Sequence, residues 1–107
     1  MAEISEVTAR LLDYVSYDTQ SEDDRESIPS TKKQFELAHK LAGELKELGA
    51  SQVRISEQGY VYACIPSNLE EGNTCPSLGF IAHMDTAPSF SGQDVKPQFI
   101  RDYDGQD

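Results

Sequence analysis

A histidine followed two residues later by an aspartate, His83-Met84-Asp85, stands at the end of the apolar run Leu78 to Ala82. Side chains at i and i+2 of an extended segment share one side, which puts Asp85 beside the imidazole. A carboxylate there can accept the ring N–H, fix the tautomer and strengthen the other nitrogen as a metal ligand. A buried strand delivering this pair to its carboxyl end is how an α/β enzyme presents a metal ligand with its supporting group. One such pair cannot hold a metal alone, since a catalytic zinc usually takes three protein ligands and leaves a position for water. Spacing by itself also allows a plainer reading, in which a histidine ends a strand and an aspartate begins a turn.

The elements that would position this pair are legible as patterns. Ile4, Val7, Leu11, Leu12 and Val15 follow helical spacing and predict a short amphipathic helix ending near Tyr17. Asp18 to Pro29 reads as loop, with the charged stretch Glu22 to Glu26 as its solvated tip. Pro29-Ser30-Thr31 is expected to open a second helix, with Ser30 or Thr31 as N-cap. Its buried stripe is Leu37, Ala38, Leu41, Ala42, Leu45 and Leu48, and Gly49 fits the C′ position. Strands are predicted at Gln52 to Ser56, with Val53 and Ile55 on one face, and at Tyr60 to Ile65 after a tight turn at Gly59. Leu78 to His83 is the most apolar strand and is placed centrally, and Val95 to Ile100 is an edge strand because it contains Pro97. Too little sequence follows the central strand to bury both its faces, so the chain is expected to be part of a larger domain.

Composition narrows the function classes. The chain has 107 residues and a formal net charge of -10, from 19 acidic against 9 basic residues. This argues against a nucleic-acid surface, which needs clustered Lys and Arg, and equally against an anionic membrane surface. The charge fits either simple solubility or a shortage of positive counter-charge around a cation site. No apolar run approaches the roughly 20 residues of a membrane span. The acidic start, Met1 to Glu6, lacks the apolar region of a secretory signal, so a cytoplasmic location is expected. Cys64 and Cys75 match no zinc-ribbon spacing and are expected as reduced thiols.

The segment Gly79-Phe80-Ile81-Ala82-His83-Met84-Asp85-Thr86-Ala87-Pro88 resembles the first metal-binding motif of the co-catalytic di-zinc exopeptidases that include aminoacylase and glutamate carboxypeptidase. Within that family the chain is most similar to the tripeptide-cleaving aminopeptidases. The similarity includes Tyr14 to Ser21, Pro29-Ser30-Thr31, Leu45 to Gly49, Ser91-Gly92, Val95-Lys96-Pro97 and Tyr103 to Asp107, in the family's order. The resemblance implies that His83 ligates one of two zinc ions and that Asp85 orients that histidine without binding metal. The family's bridging aspartate, Glu-Glu pair, further acidic ligand and second histidine match nothing here. Glu70-Glu71 precedes the motif and lies in a loop, and His39 falls within the second helix, so neither supplies them.

The implied fold class is α/β, the incomplete N-terminal part of a zinc-exopeptidase-like three-layer catalytic domain. Residues 1–107 would be its N-terminal segment, without the remainder of that domain or the smaller second domain. The implied activity of the intact protein is zinc-dependent release of the N-terminal residue from tripeptides, with a short peptide as substrate. These residues alone are expected to be inactive and to bind zinc weakly. An unfinished sheet edge predicts self-association of the chain by itself. Two other readings remain: a related di-zinc deacylase or dipeptidase, and a non-catalytic module that binds a partner through that edge.

Overall fold

A computed structural model describes residues 3–106. Met1, Ala2 and Asp107, which enter the readings of the N-terminus and of the last motif, lie outside the described residues. The order of elements is α1 (Glu6–Tyr14), α2 (Gln34–Glu47), β1 (Ser51–Ile55) and β2 (Val61–Cys64). This is a mixed α/β arrangement, as the sequence patterns imply.

Helix α1 starts where Ser5 accepts a hydrogen bond from the Thr8 amide at 3.3 Å. It ends at Tyr14, short of the expected Tyr17. The amides of Ser16 and Tyr17 bond three residues back, to Asp13 and Tyr14, so the chain tightens into turns instead of continuing the helix.

Helix α2 begins later than expected, and neither Ser30 nor Thr31 caps it. Lys33 occupies the N-cap and makes no side-chain cap bond. The two hydroxyls are engaged by the preceding loop. Ser30 Oγ accepts from the Glu22 amide at 3.0 Å. Thr31 Oγ1 donates to the Gln20 carbonyl at 2.8 Å and accepts from Gln34 Nε2 at 2.9 Å. Side chains that can cap a helix can equally tie down a loop, and here the loop wins. At the other end Gly49 sits at C′ with φ +85°, the left-handed conformation that glycine adopts without penalty.

Antiparallel strands β1 and β2 pair Ser51 with Cys64, Arg54 with Tyr62 and Ile55 with Val61. The register breaks between Ser51 and Arg54, where Gln52 takes φ +54°. The hairpin closes through Ser56 N–H to the Tyr60 carbonyl at 2.9 Å, with Gly59 at φ +85°. Val53 and Ile55 share the half-buried face against α2, while Arg54 lies on the other face with its guanidinium 3.9 Å from the centre of the Tyr62 ring. Leu37, Ala38 and Ala42 are the buried apolar residues of α2, and Leu41 and Leu45 are half-buried. Leu48 departs from the expected stripe: it is exposed, because it borders an open groove instead of packing on the hairpin. Polar bonds join α1 to α2, through Tyr14 Oη to the Glu44 carboxylate and Lys40 Nζ to Asp13 at 3.1 Å.

Two expected strands do not form. Leu78 to His83 makes no ladder, and Leu78, Phe80 and Ile81 are each more than 80% exposed. Val95 to Ile100 is likewise irregular. A strand needs a neighbour for its backbone groups, and β1 and β2 pair only with each other among the described residues. The apolar run therefore stays unpaired beside a groove of about 800 Å³. The groove's other walls include Leu41, Leu45 and Tyr60, side chains of the kind that fill cores. No helix among the described residues is long and apolar enough to cross a membrane.

Candidate metal-binding site

His83 and Asp85 come together as their spacing implies, although the backbone carrying them is not part of a sheet. His83 Nδ1 lies 3.0 Å from Asp85 Oδ1 and 2.9 Å from the Asp85 carbonyl oxygen. A carbonyl and a carboxylate are acceptors only, so the proton of the neutral ring belongs on Nδ1, which donates to both. This leaves the lone pair on Nε2. The His83 side chain is 86% exposed, so Nε2 is free to meet a ligand. A carboxylate holding the proton on one nitrogen while the other stays open is the arrangement of a metal-binding histidine.

The segment carrying the pair is held from the far side by the loop after α1. Thr86 N–H donates to the Thr19 carbonyl at 3.1 Å, and Ser21 N–H donates to the Thr86 carbonyl at 3.0 Å. Together these make a single parallel bridge between Gln20 and Thr86. Ser21 Oγ adds a second bond to the Thr86 carbonyl at 2.9 Å, and Gln20 Nε2 reaches the Pro88 carbonyl at 3.0 Å. The loop is itself braced: Thr19 is buried, Thr31 holds the Gln20 carbonyl, and Lys33 Nζ lies 2.8 Å from Asp18 Oδ2. Sequence reading treats Asp18 to Ser21 only as loop. The signal that it does more is the clustering of short polar side chains, which bond neighbouring backbone and shape turns. Asp18 Oδ1 does so here, accepting the Gln20 amide at 3.2 Å.

The Lys33 ammonium, with help from the Gln20 amide, holds the Asp18 carboxyl below its ordinary value. A carboxyl lowered in the folded state stabilises the fold above its unfolded value and loses that contribution as pH falls through the lowered one. The Asp18 side-chain carboxyl carbon shift, followed by NMR titration, should therefore show its transition below the ordinary aspartate range. A transition within or above that range would contradict the ion pair's role.

The remaining candidates do not join the site. His39 is exposed on α2, its ring 6.5 Å from that of Phe35. Glu70 and Glu71 are exposed in a loop, and Cys64 and Cys75 are free thiols. No group of three or more His, Cys, Asp or Glu that could hold a metal occurs among the described residues. The donor set present thus fits one ligand and its orienting partner, and any further ligands would have to come from outside the described residues.

No protein-family model matches the chain. Curated proteins do. Peptidase T of Clostridium acetobutylicum is 50% identical over 104 residues, which is 97% of this chain and 25% of the relative. Peptidase T of Alkaliphilus oremlandii is 54% identical over 98 residues, 92% of this chain and 24% of the relative. That of Desulfitobacterium hafniense is 52% identical over 104 residues, again 97% and 25%. The chain spans about a quarter of the length of the curated relatives it matches. With about half its residues identical to theirs along nearly its whole length, this chain is related to peptidase T.

Proposed function

We propose that this chain is the N-terminal segment of a zinc-dependent aminotripeptidase, a hydrolase that releases the N-terminal residue from tripeptides in the cytoplasm. The observation that carries the proposal is the His83 ring, with Nδ1 tied to two acceptors on Asp85 and Nε2 open. His83 would hold one zinc through Nε2, and Asp85 would keep the ring's proton on Nδ1 and its plane fixed. When bound, a zinc pair lowers the pKa of water and polarises the peptide carbonyl. The groups that bridge the metals and accept the water's proton would come from the remainder of a protein of the relatives' length. The relatives' name supports peptide hydrolysis, and the resemblance of Tyr14 to Ser21 and of Tyr103 to Asp107 supports the tripeptide-specific reading over a deacylase or dipeptidase.

The test is a substrate profile of the protein at its relatives' length, alongside the 107-residue chain. The long form should release N-terminal residues from tripeptides, leave N-acyl amino acids intact and stop on chelation. The chain alone should show no hydrolysis. Cleavage of N-acyl amino acids by the long form would favour the deacylase reading, and chelator-sensitive tripeptide hydrolysis by the short chain would overturn the division of the site.

A further inference from the structure

We infer that Gly92, Asp18 and Lys33 form a latch that positions the His83–Asp85 pair through a single peptide plane. The inference rests on the metal-binding reading of His83 and adds positioning residues to it.

The plane is the peptide unit between Asp85 and Thr86. Its carbonyl accepts from His83 Nδ1 at 2.9 Å, and its N–H donates to the Thr19 carbonyl at 3.1 Å. A peptide unit is rigid and planar, so its two ends cannot turn independently. Whatever fixes the Thr86 amide against Thr19 also fixes the direction of the Asp85 carbonyl beneath the imidazole. The loop Asp18 to Ser21 therefore reaches His83 without touching it.

Gly92 sets how closely that loop and the Thr86 segment approach. It is buried, and a Cβ built on it would lie 2.7 Å from Asp18 Oδ1, 3.2 Å from the Gln20 amide nitrogen and 3.2 Å from Thr86 Oγ1. Its backbone is not left-handed, so glycine is required here for space and not for conformation. Any side chain at position 92 would press on the loop and on Thr86 together, wedging apart the strands of the bridge. The Asp18 carboxylate cannot simply swing away, because Oδ2 is held by Lys33 at 2.8 Å and Oδ1 by the Gln20 amide at 3.2 Å. Lys33 stands at the N-cap of α2, so the latch anchors the metal-binding segment to the most deeply packed helix of the chain.

The test is NMR of the metal-free protein at its relatives' length, 15N-labelled at the residues read, in five forms: unaltered, Gly92→Ala, Lys33→Met, Lys33→Arg and Asp85→Ala. One readout is amide hydrogen exchange at Thr86 and Ser21, with Ala42 in α2 as the reference for the fold. The other is the pair of imidazole 15N shifts of His83, which report which ring nitrogen carries the proton. Gly92→Ala and Lys33→Met should each lower protection at Thr86 and Ser21 by tenfold or more. Both should move the His83 shifts away from the Nδ1–H form while Ala42 keeps its protection. Lys33→Arg should behave as the unaltered chain. Unchanged His83 shifts in both Gly92→Ala and Lys33→Met would overturn the latch, as would equal loss of protection at Ala42, which is general loosening. Asp85→Ala checks the underlying reading separately. Should it leave the His83 shifts in place, the Asp85 role is wrong; should it move them while neither Gly92→Ala nor Lys33→Met does, only the latch is wrong.

Discussion

Replacing His83 by alanine in the protein at its relatives' length is expected to remove one bound zinc and to lower tripeptide hydrolysis by more than about 100-fold. The bound is set by comparison: losing a group that only supports a metal ligand typically costs about 10–100-fold in affinity or activity, and loss of the ligand itself should cost more. The fold should survive. Among the described residues the His83 side chain is 86% exposed, and its hydrogen bonds run to Asp85. Its removal opens no cavity and leaves no buried group unpaired among the described residues. Helical circular dichroism should thus stay at the parental value, and the thermal midpoints of the two metal-free proteins should agree, while metal content, read by elemental analysis of the loaded proteins, falls. Retention of the full metal content in His83→Ala would sink the assignment.

The second large effect is expected at Asp85. Asp85→Ala removes the carboxylate that accepts from Nδ1 but keeps the backbone carbonyl that also accepts, at 2.9 Å. The ring should keep its place part of the time, so zinc affinity should fall by about 10–100-fold without being abolished. Asp85→Asn should be milder than Asp85→Ala, because its amide oxygen can still accept from Nδ1 beside the backbone carbonyl. A neutral oxygen is a weaker acceptor than a carboxylate, so the tautomer is kept while Nε2 becomes a poorer zinc ligand. Zinc titration of the two variants against a competing chelator gives the comparison. Equal, unaltered affinities would make Asp85 a turn residue and no more.

The pair itself was readable because i and i+2 geometry is local: it needs only an extended backbone through Met84, not a sheet. The hairpin was readable for a similar reason, since Val53, Ile55 and the Gly59 turn carry their own periodicity and conformation. The strand at Leu78 to His83 was not. Its apolar composition records a burial that the described residues do not provide, and Leu78, Phe80 and Ile81 lie open. Composition says what a segment would bury, whereas pairing depends on which backbone is within reach. The start of α2 failed for another reason. Ser30 and Thr31 are good caps by type, but their hydroxyls serve Glu22 and Gln20, partners that only the folded loop brings near. The same hidden geometry concealed the bracing of Thr86 by the loop, since Asp18 and Gly92 are far apart in sequence and meet only through space.

The most direct measurement is a crystal structure of the zinc-loaded protein at its relatives' length, with the metals located by anomalous scattering. The expected result is a zinc about 2.1 Å from Nε2 of His83, with Nδ1 still on Asp85 and Thr86 still bonded to Thr19. An active, fully loaded protein whose zinc ions lie away from His83, or bind it through Nδ1, would contradict the metal-ligand reading at its root.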